Sequence, residues 1–98
     1  MAFTQTMIVR ASSPDTLGAL LDGWHRDQAG VAPGYQGARV LADRSEPGRF
    51  VIEVDFSSEE EARRNSDRPE TQAWAGKLRE AAEGEPDYHD YDVAYTTG

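Results

Sequence analysis

Apolar residues recur with a period of two in some segments of this chain and near 3.6 in others, and the order of these segments constrains the fold. The clearest strand pattern covers residues 49–56, where every second side chain is apolar and shares one face: Phe50, Ile52, Val54 and Phe56. Three further strands are predicted over residues 3–11, 35–42 and 88–95. Pro47-Gly48 suits the centre of a type II turn, so the second and third strands should form a hairpin.

Helix signals follow the first strand. Ser13, Pro14 and Asp15 supply an N-cap, a proline at the first helical position and an acid in the first turn. The predicted helix ends before Gly30. Its apolar stripe consists of Leu17, Leu20, Leu21 and Trp24.

A second helical region is predicted in two parts. Ser58 and Glu61 fit a capping box that opens a short surface helix to about residue 64. The segment Asn65-Ser66-Asp67 should interrupt it, and Pro69 should begin a longer helix that ends near residue 83. The buried stripe of this longer helix is predicted to be Trp74, Leu78 and Ala81.

The resulting order, β-α-β-β-α-β over a single domain of residues 1–98, is the split βαβ pattern of a ferredoxin-like α+β subunit. It predicts a four-stranded antiparallel sheet with the helices on one face. Adjacent apolar residues, Met7-Ile8-Val9 and Val51-Ile52, must place some side chains on the other face. Because each such side chain forfeits roughly 1.5–3 kcal/mol when left in water, we expect a homodimer through that sheet face.

Composition excludes several classes of function. The net charge of −8 repels phosphate backbones, so nucleic acid is not an expected partner. The absence of cysteine excludes disulfides, thiolate nucleophiles and cysteine-based metal sites, and a reducing cytoplasm is the expected location. We expect neither a membrane span nor a signal peptide, since no apolar run is long enough and residues 1–10 lack the required layout. No glycine-rich phosphate loop is present, and we expect no cofactor and no metal.

The chain carries one recognisable combination of features. The strand at residues 50–56 leads into Ser58-Glu59-Glu60-Glu61, and Asn65-Ser66-Asp67 precedes a helix with an aromatic residue at Trp74. Together with the element order, these features resemble the antibiotic biosynthesis monooxygenase-like family over nearly the whole chain. The resemblance implies a dimeric α/β barrel with a ligand pocket between the sheet and helices of each subunit. The family includes cofactor-independent oxygenases that act on aromatic polyketides, and haem-degrading enzymes.

Candidate site residues follow from this resemblance and from side-chain chemistry. In the polyketide oxygenases an Asn and a Trp around the second helix border the pocket, and Asn65 and Trp74 are the matching residues here. Asn65 and Arg39 could bind a substrate oxygen. Flat apolar walls could come from Trp74, Trp24 and Tyr35.

His25 is the remaining candidate, because an imidazole titrates near neutral pH and can accept a proton. The candidate catalytic residues are therefore Asn65, Trp74 and His25, and the candidate substrate-binding residues are Tyr35, Arg39 and Trp24. Four of these six residues also have a structural interpretation. Trp24 and Trp74 could fill the core, Asn65 could be a cap or turn residue, and His25 could face solvent.

Two further features bear on haem and on cation binding. Haem degradation is not expected, since that branch carries a helix histidine where Ala73 and Trp74 stand. The run from Asp87 to Asp92 could recognise a cation, or it could be an edge strand protected by charge. The sequence thus predicts a small cofactor-independent monooxygenase-like protein acting on an aromatic or polyketide-like molecule. The alternative is a non-catalytic small-molecule-binding or assembly module of the same fold.

Overall fold

The fold is taken from a computed structural model that describes residues 2–98. Within these residues the chain forms one four-stranded sheet and three helices. In chain order they are β1 (Phe3–Arg10), α1 (Pro14–Gln28), β2 (Tyr35–Ala42), β3 (Arg49–Phe56), α2 (Glu59–Ser66), α3 (Pro69–Ala81) and β4 (Asp87–Asp92). The strand order is β2-β3-β1-β4, and every neighbouring pair is antiparallel. The predicted ferredoxin-like α+β fold is confirmed.

The helix starts follow the predicted capping chemistry. The Ser13 side chain accepts a hydrogen bond from the backbone N–H of Asp15, and the Ser58 side chain accepts one from Glu61. The break in the second helical region lies later than predicted, because α2 continues through Asn65 and Ser66. Arg68 has extended dihedral angles, φ −78° and ψ 141°, since the proline that follows disfavours the helical region for the residue before it.

The core lies between the helices and one face of the sheet. Residues at the centre of that face are paired across three strands, with Met7 opposite Ile52 and Ile52 opposite Val40. The largest fully buried side chains come from β3 and from α1 and α3: Phe56, Ile52, Leu17 and Leu78. Burial of this apolar face is the main stabilising contribution to the fold.

The opposite face of the sheet is mixed in character. Thr4 donates a hydrogen bond to Asp55 at 2.8 Å, and Arg39 pairs with Glu53 at 2.7 Å. Beside these polar groups, Ile8 lies opposite Val51 and both are half-buried. The expected apolar side chains are therefore present on this face, but they share it with ion pairs and hydrogen bonds.

The hairpin between β2 and β3 is closed by a turn whose third residue, Gly48, has a positive φ of 87°. Arg49 N donates to Glu46 O at 3.1 Å, as the predicted type II turn requires. Asp43 organises the loop, since Oδ1 accepts from Ser45 N and Oδ2 accepts from Arg49 Nη1, each at 2.8 Å. The hydrogen bond from Ser45, with that from Arg49 as a further contribution, lowers the pKa of Asp43.

Of the helices within residues 2–98, not one has the length and apolar composition needed to cross a membrane.

Leu17 provides a test of the core. Leu17→Ala should lower the free energy of unfolding by about 2–5 kcal/mol, because the side chain is fully buried and a cavity would remain. Leu20→Ala is the matched control in the same helix and should cost less, since Leu20 is only partly buried. Urea denaturation followed by circular dichroism measures both. Equal losses for the two variants would contradict the core described above.

Asp43 provides a test of the hairpin through pH. A carboxyl whose pKa is lowered by folding adds stability that is present above its unfolded pKa of about 3.9, and that is lost as pH falls through the folded value. Asp43→Asn should therefore destabilise the protein at pH 7 and have a smaller effect near pH 2. An NMR titration of the Asp43 carboxyl should give a pKa below its unfolded value of about 3.9. A titration at or above that value would contradict the capping role of Asp43.

Candidate functional site

A cavity of about 360 Å³ lies between the helix-facing side of the sheet and the three helices. Its floor is formed by β1, β3 and β4, and its walls by α1, the end of α2 and α3. The cavity is partly open to solvent. Its volume is within the range of small-molecule sites, so a ligand of two or three fused rings could enter.

The apolar walls of the cavity include both tryptophans. The ring centroids of Trp24 and Trp74 lie 5.9 Å apart with an interplanar angle of 60°. Trp74 Nε1 donates a hydrogen bond to the backbone oxygen of Leu20 at 3.0 Å. This bond fixes the indole and occupies its only donor, so Trp74 can offer a ligand its ring but not its N–H.

Asn65 is a buried polar residue in the lining of the cavity. It lies in the last turn of α2 and is only 4% exposed. Its Oδ1 accepts hydrogen bonds from Arg68 Nη1 and from Thr71 Oγ1, both at 3.1 Å. The structural interpretation of Asn65 was a cap or turn residue. Instead, Asn65 lies within α2, and its buried side chain borders the cavity.

Seven other polar residues line the cavity, and none of them was predicted as a site residue. They are Gln5, Ser66, Thr71, Gln72, Arg79, Tyr88 and Asp90. Gln5 Nε2 donates to Asp90 Oδ1 at 3.3 Å, which joins β1 to β4. Arg79 is exposed and forms no ion pair with any residue between 2 and 98. The helical spacing of Arg79, four residues after Ala75 on α3, was a signal that could have identified it.

The strand β4 also contributes to the site. It is an edge strand and all its residues are exposed, which fits the charged-edge alternative. However, Tyr88 and Asp90 line the cavity, because they pair with Met7 and Gln5 on the helix-facing side of β1. One of the acids expected to face solvent therefore borders the site.

His25 and Tyr35 form a pair outside the cavity lining. Tyr35 Oη lies 2.8 Å from His25 Nδ1, within hydrogen-bond distance, and burial raises the pKa of the Tyr35 hydroxyl. The Tyr35 ring meets Trp24 edge to face, with centroids 6.2 Å apart, so it supports the cavity wall from outside. Neither His25 nor Tyr35 is among the residues that line the cavity, and their roles in a site stay predictions. His25 follows Trp24 in a helix, so its side chain leaves the helix about 100° away.

Arg39 lies on the sheet face opposite the cavity. It pairs with Glu53, and its neighbour Val40 pairs with the buried Ile52 on the helix-facing side. Since successive residues of a strand point to opposite faces, Arg39 is directed away from the site. Arg39 is not among the residues that line the cavity, and its substrate-binding role stays a prediction. The structure brings Asn65, Trp74 and Trp24 together around the cavity, whereas His25, Tyr35 and Arg39 lie elsewhere.

No protein-family model matches the sequence, and no curated protein matches it. Solved structures match it closely in fold. One is SnoaB, a cofactor-independent oxygenase from Streptomyces nogalater, with a TM-score of 0.75, 15% identity, and coverage of 97% of this chain and 94% of SnoaB. A protein provisionally named as an antibiotic biosynthesis monooxygenase from Deinococcus radiodurans has a TM-score of 0.74, 17% identity, and coverage of 100% and 97%. Rv0793 from Mycobacterium tuberculosis has a TM-score of 0.74, 13% identity, and coverage of 100% of both chains. The chain therefore shares the ferredoxin-like fold of structures named as antibiotic biosynthesis monooxygenases.

Proposed function

We propose that this chain is a small cofactor-independent monooxygenase-like protein that oxidises an aromatic or polyketide-like molecule bound in the cavity. The observation that carries the proposal is a sheltered cavity with two indole walls and one buried carboxamide, that of Asn65. The fold shared with SnoaB, which is named a cofactor-independent oxygenase, supports the same conclusion.

The chemistry requires few protein groups. An anthrone or quinol that loses an acidic proton becomes an electron-rich anion, which can pass an electron to O₂ and then combine with it. For an anthrone, the methylene carbon becomes a carbonyl and one molecule of water leaves, so a single O₂ balances the reaction. The protein has to hold the anionic oxygen and limit the access of water. Asn65 could serve the first purpose and the tryptophans the second, while Asp90 is a carboxylate at the cavity that could accept the proton.

A non-catalytic binding or assembly module is the second candidate. Two observations favour it. Among the polar residues selected from the sequence, only Asn65 reaches the cavity, and His25 does not. The Trp74 N–H also donates its hydrogen bond to Leu20 O, which is typical of a residue whose role is packing. The open cavity still favours ligand binding over a purely structural role, since the tryptophans line it without filling it.

Oxygen uptake separates the two candidates. With a panel of anthrones and quinols, the wild type should consume O₂ faster than buffer, as measured with an oxygen electrode. Asn65→Ala should reduce the rate by about 10²–10³-fold, because a donor to the developing oxyanion is lost. Trp74→Phe should have a smaller effect, since a flat wall remains. The control variant is Gln36→Ala, which changes an exposed residue outside the cavity and should leave the rate unchanged. Wild-type rates equal to buffer across the panel would rule out oxygenation of these compounds.

We also propose that two copies associate through the sheet face that the helices do not cover. Support comes from Ile8 and Val51, which are paired and half-buried on that face, and from Leu41, which lies opposite Val51 and is 37% exposed. Covering these side chains would remove apolar surface from water. The cytoplasmic location expected from the sequence stays a prediction.

Lysine substitution tests this association. Val51→Lys should yield monomers or insoluble protein, because a charge would be placed at the centre of the apolar part of the face. Ser45→Lys adds the same charge in the exposed β2–β3 loop and should leave the assembly intact. Light scattering at micromolar concentration gives the mass of each variant. A soluble wild-type monomer would contradict the dimer.

A further inference from the structure

The orientation of the Asn65 carboxamide is determined by its neighbours. The group that faces it from the α2–α3 junction is the Arg68 guanidinium, whose Nη1 lies 3.1 Å from Oδ1. A guanidinium has donors and no acceptor, so only the oxygen of the carboxamide can face it. The Thr71 hydroxyl donates to the same oxygen at 3.1 Å. Reversing the carboxamide would place its NH₂ group against the guanidinium and lose the hydrogen bond from Arg68, whereas the Thr71 hydroxyl could accept from the NH₂ group instead. Arg68 is therefore the neighbour that determines the orientation.

This arrangement leaves the other end of Asn65 without a protein partner. Asn65 Nδ2 donates no hydrogen bond to any residue between 2 and 98, although the residue is 4% exposed. In this part of the chain, every side-chain nitrogen or oxygen sealed from solvent has a hydrogen-bond partner. Nδ2 therefore borders accessible space, and Asn65 is a lining residue of the cavity.

Arg68 is itself held firmly. Its Nη2 donates to Gln28 Oε1 at 2.8 Å and to Glu70 Oε2 at 2.6 Å, and its side chain is only 18% exposed. These contacts connect the end of α1 with the start of α3. Arg68 is not among the residues that line the cavity, so the contact that links it to a ligand is its hydrogen bond to Asn65.

We propose that Arg68 is a positioning residue that keeps the Asn65 NH₂ group turned into the cavity, and that the cavity consequently selects ligands with an anionic or hydrogen-bond-accepting oxygen. The inference deepens the proposed function, on which it rests for the identity of the site. A ligand that places a cationic hydrogen-bond donor beside Asn65 would face the donors of the Asn65 NH₂ group, so it would bind more weakly.

Asn65→Asp tests the polarity of the site. The carboxylate can still accept from Arg68 and Thr71, so the fold should be retained, but an acceptor would replace the donor that faces the cavity. The probes are 2-naphthoate, 2-naphthylmethylammonium and naphthalene, which share one ring system, and calorimetric titration of the full chain gives each Kd. Wild type should bind 2-naphthoate at least about tenfold more tightly than the ammonium, and Asn65→Asp should reverse that order. Naphthalene should bind both proteins alike.

Arg68→Met tests the positioning role. Loss of the guanidinium allows the carboxamide to turn either way, so the preference for 2-naphthoate over the ammonium should fall by about threefold or more, with naphthalene affinity unchanged. Arg68→Lys keeps a donor and should restore most of the preference. A loosened fold alone would weaken all three probes together. If Arg68→Met does not fold, Asn65→Asp and Arg68→Lys still decide the matter.

Several results would overturn the inference. These are a wild type that does not prefer 2-naphthoate, an Asn65→Asp variant that retains the wild-type preference, and a side-chain NH₂ signal of Asn65 that does not shift in ¹⁵N NMR spectra when 2-naphthoate is added. The probes are not oxidised by O₂, so binding is measured without turnover. A protein that shows the expected preference but consumes no O₂ would lose the proposed oxygenase function and keep this inference.

Discussion

Pro69 ends one helix and begins the next, because a proline has no backbone N–H to donate and disfavours helical dihedral angles in the residue before it. Arg68 is consequently extended, and its side chain lies between α1, α2 and α3. The same break leaves Asn65 in the last turn of α2, beside the cavity, and starts α3 where Trp74 can reach α1. The polar end and the indole wall of the site therefore both depend on where this helix pair is broken.

Packing and cavity formation are closely related in this chain. The hydrogen bond from Trp74 to Leu20 O joins α3 to α1. The Trp24 ring packs against the Trp74 ring in a tilted arrangement. A tryptophan on a helical stripe is usually a core residue, and here the same two rings pack the helices together and line the cavity. The structural and functional interpretations of these residues are therefore compatible.

Local patterns predicted most of the fold. The alternation in β3, the caps at Ser13 and Ser58, and the turn at Gly48 each depend on residues close in sequence, and all are found in the structure. The composition of the site was less predictable, because it depends on strand pairing. Asp90 lines the cavity through its register with Gln5, which is 85 residues away and leaves no local signal.

Arg39 lies outside the cavity for a local reason. Val40 pairs with Ile52 on the helix-facing side, and strict alternation directs Arg39 to the other face, where it pairs with Glu53. His25 is similar, because its side chain leaves α1 about 100° from that of Trp24 and lies beside Tyr35. Arg68 could not have been identified in this way, as its contact with Gln28 joins residues 40 positions apart.

The acidic edge strand has an electrostatic consequence for access to the cavity. Asp90 lines the cavity and is exposed, Asp87 and Asp92 lie at the ends of the same strand, and the whole chain carries a net charge of −8. An approaching anion meets this negative field, and the repulsion grows with the charge it carries. A phosphate group with two charges is thereby repelled more strongly than a group with one delocalised charge. Physiological salt limits the field to a range of about 8 Å, so the discrimination operates close to β4 rather than at a distance.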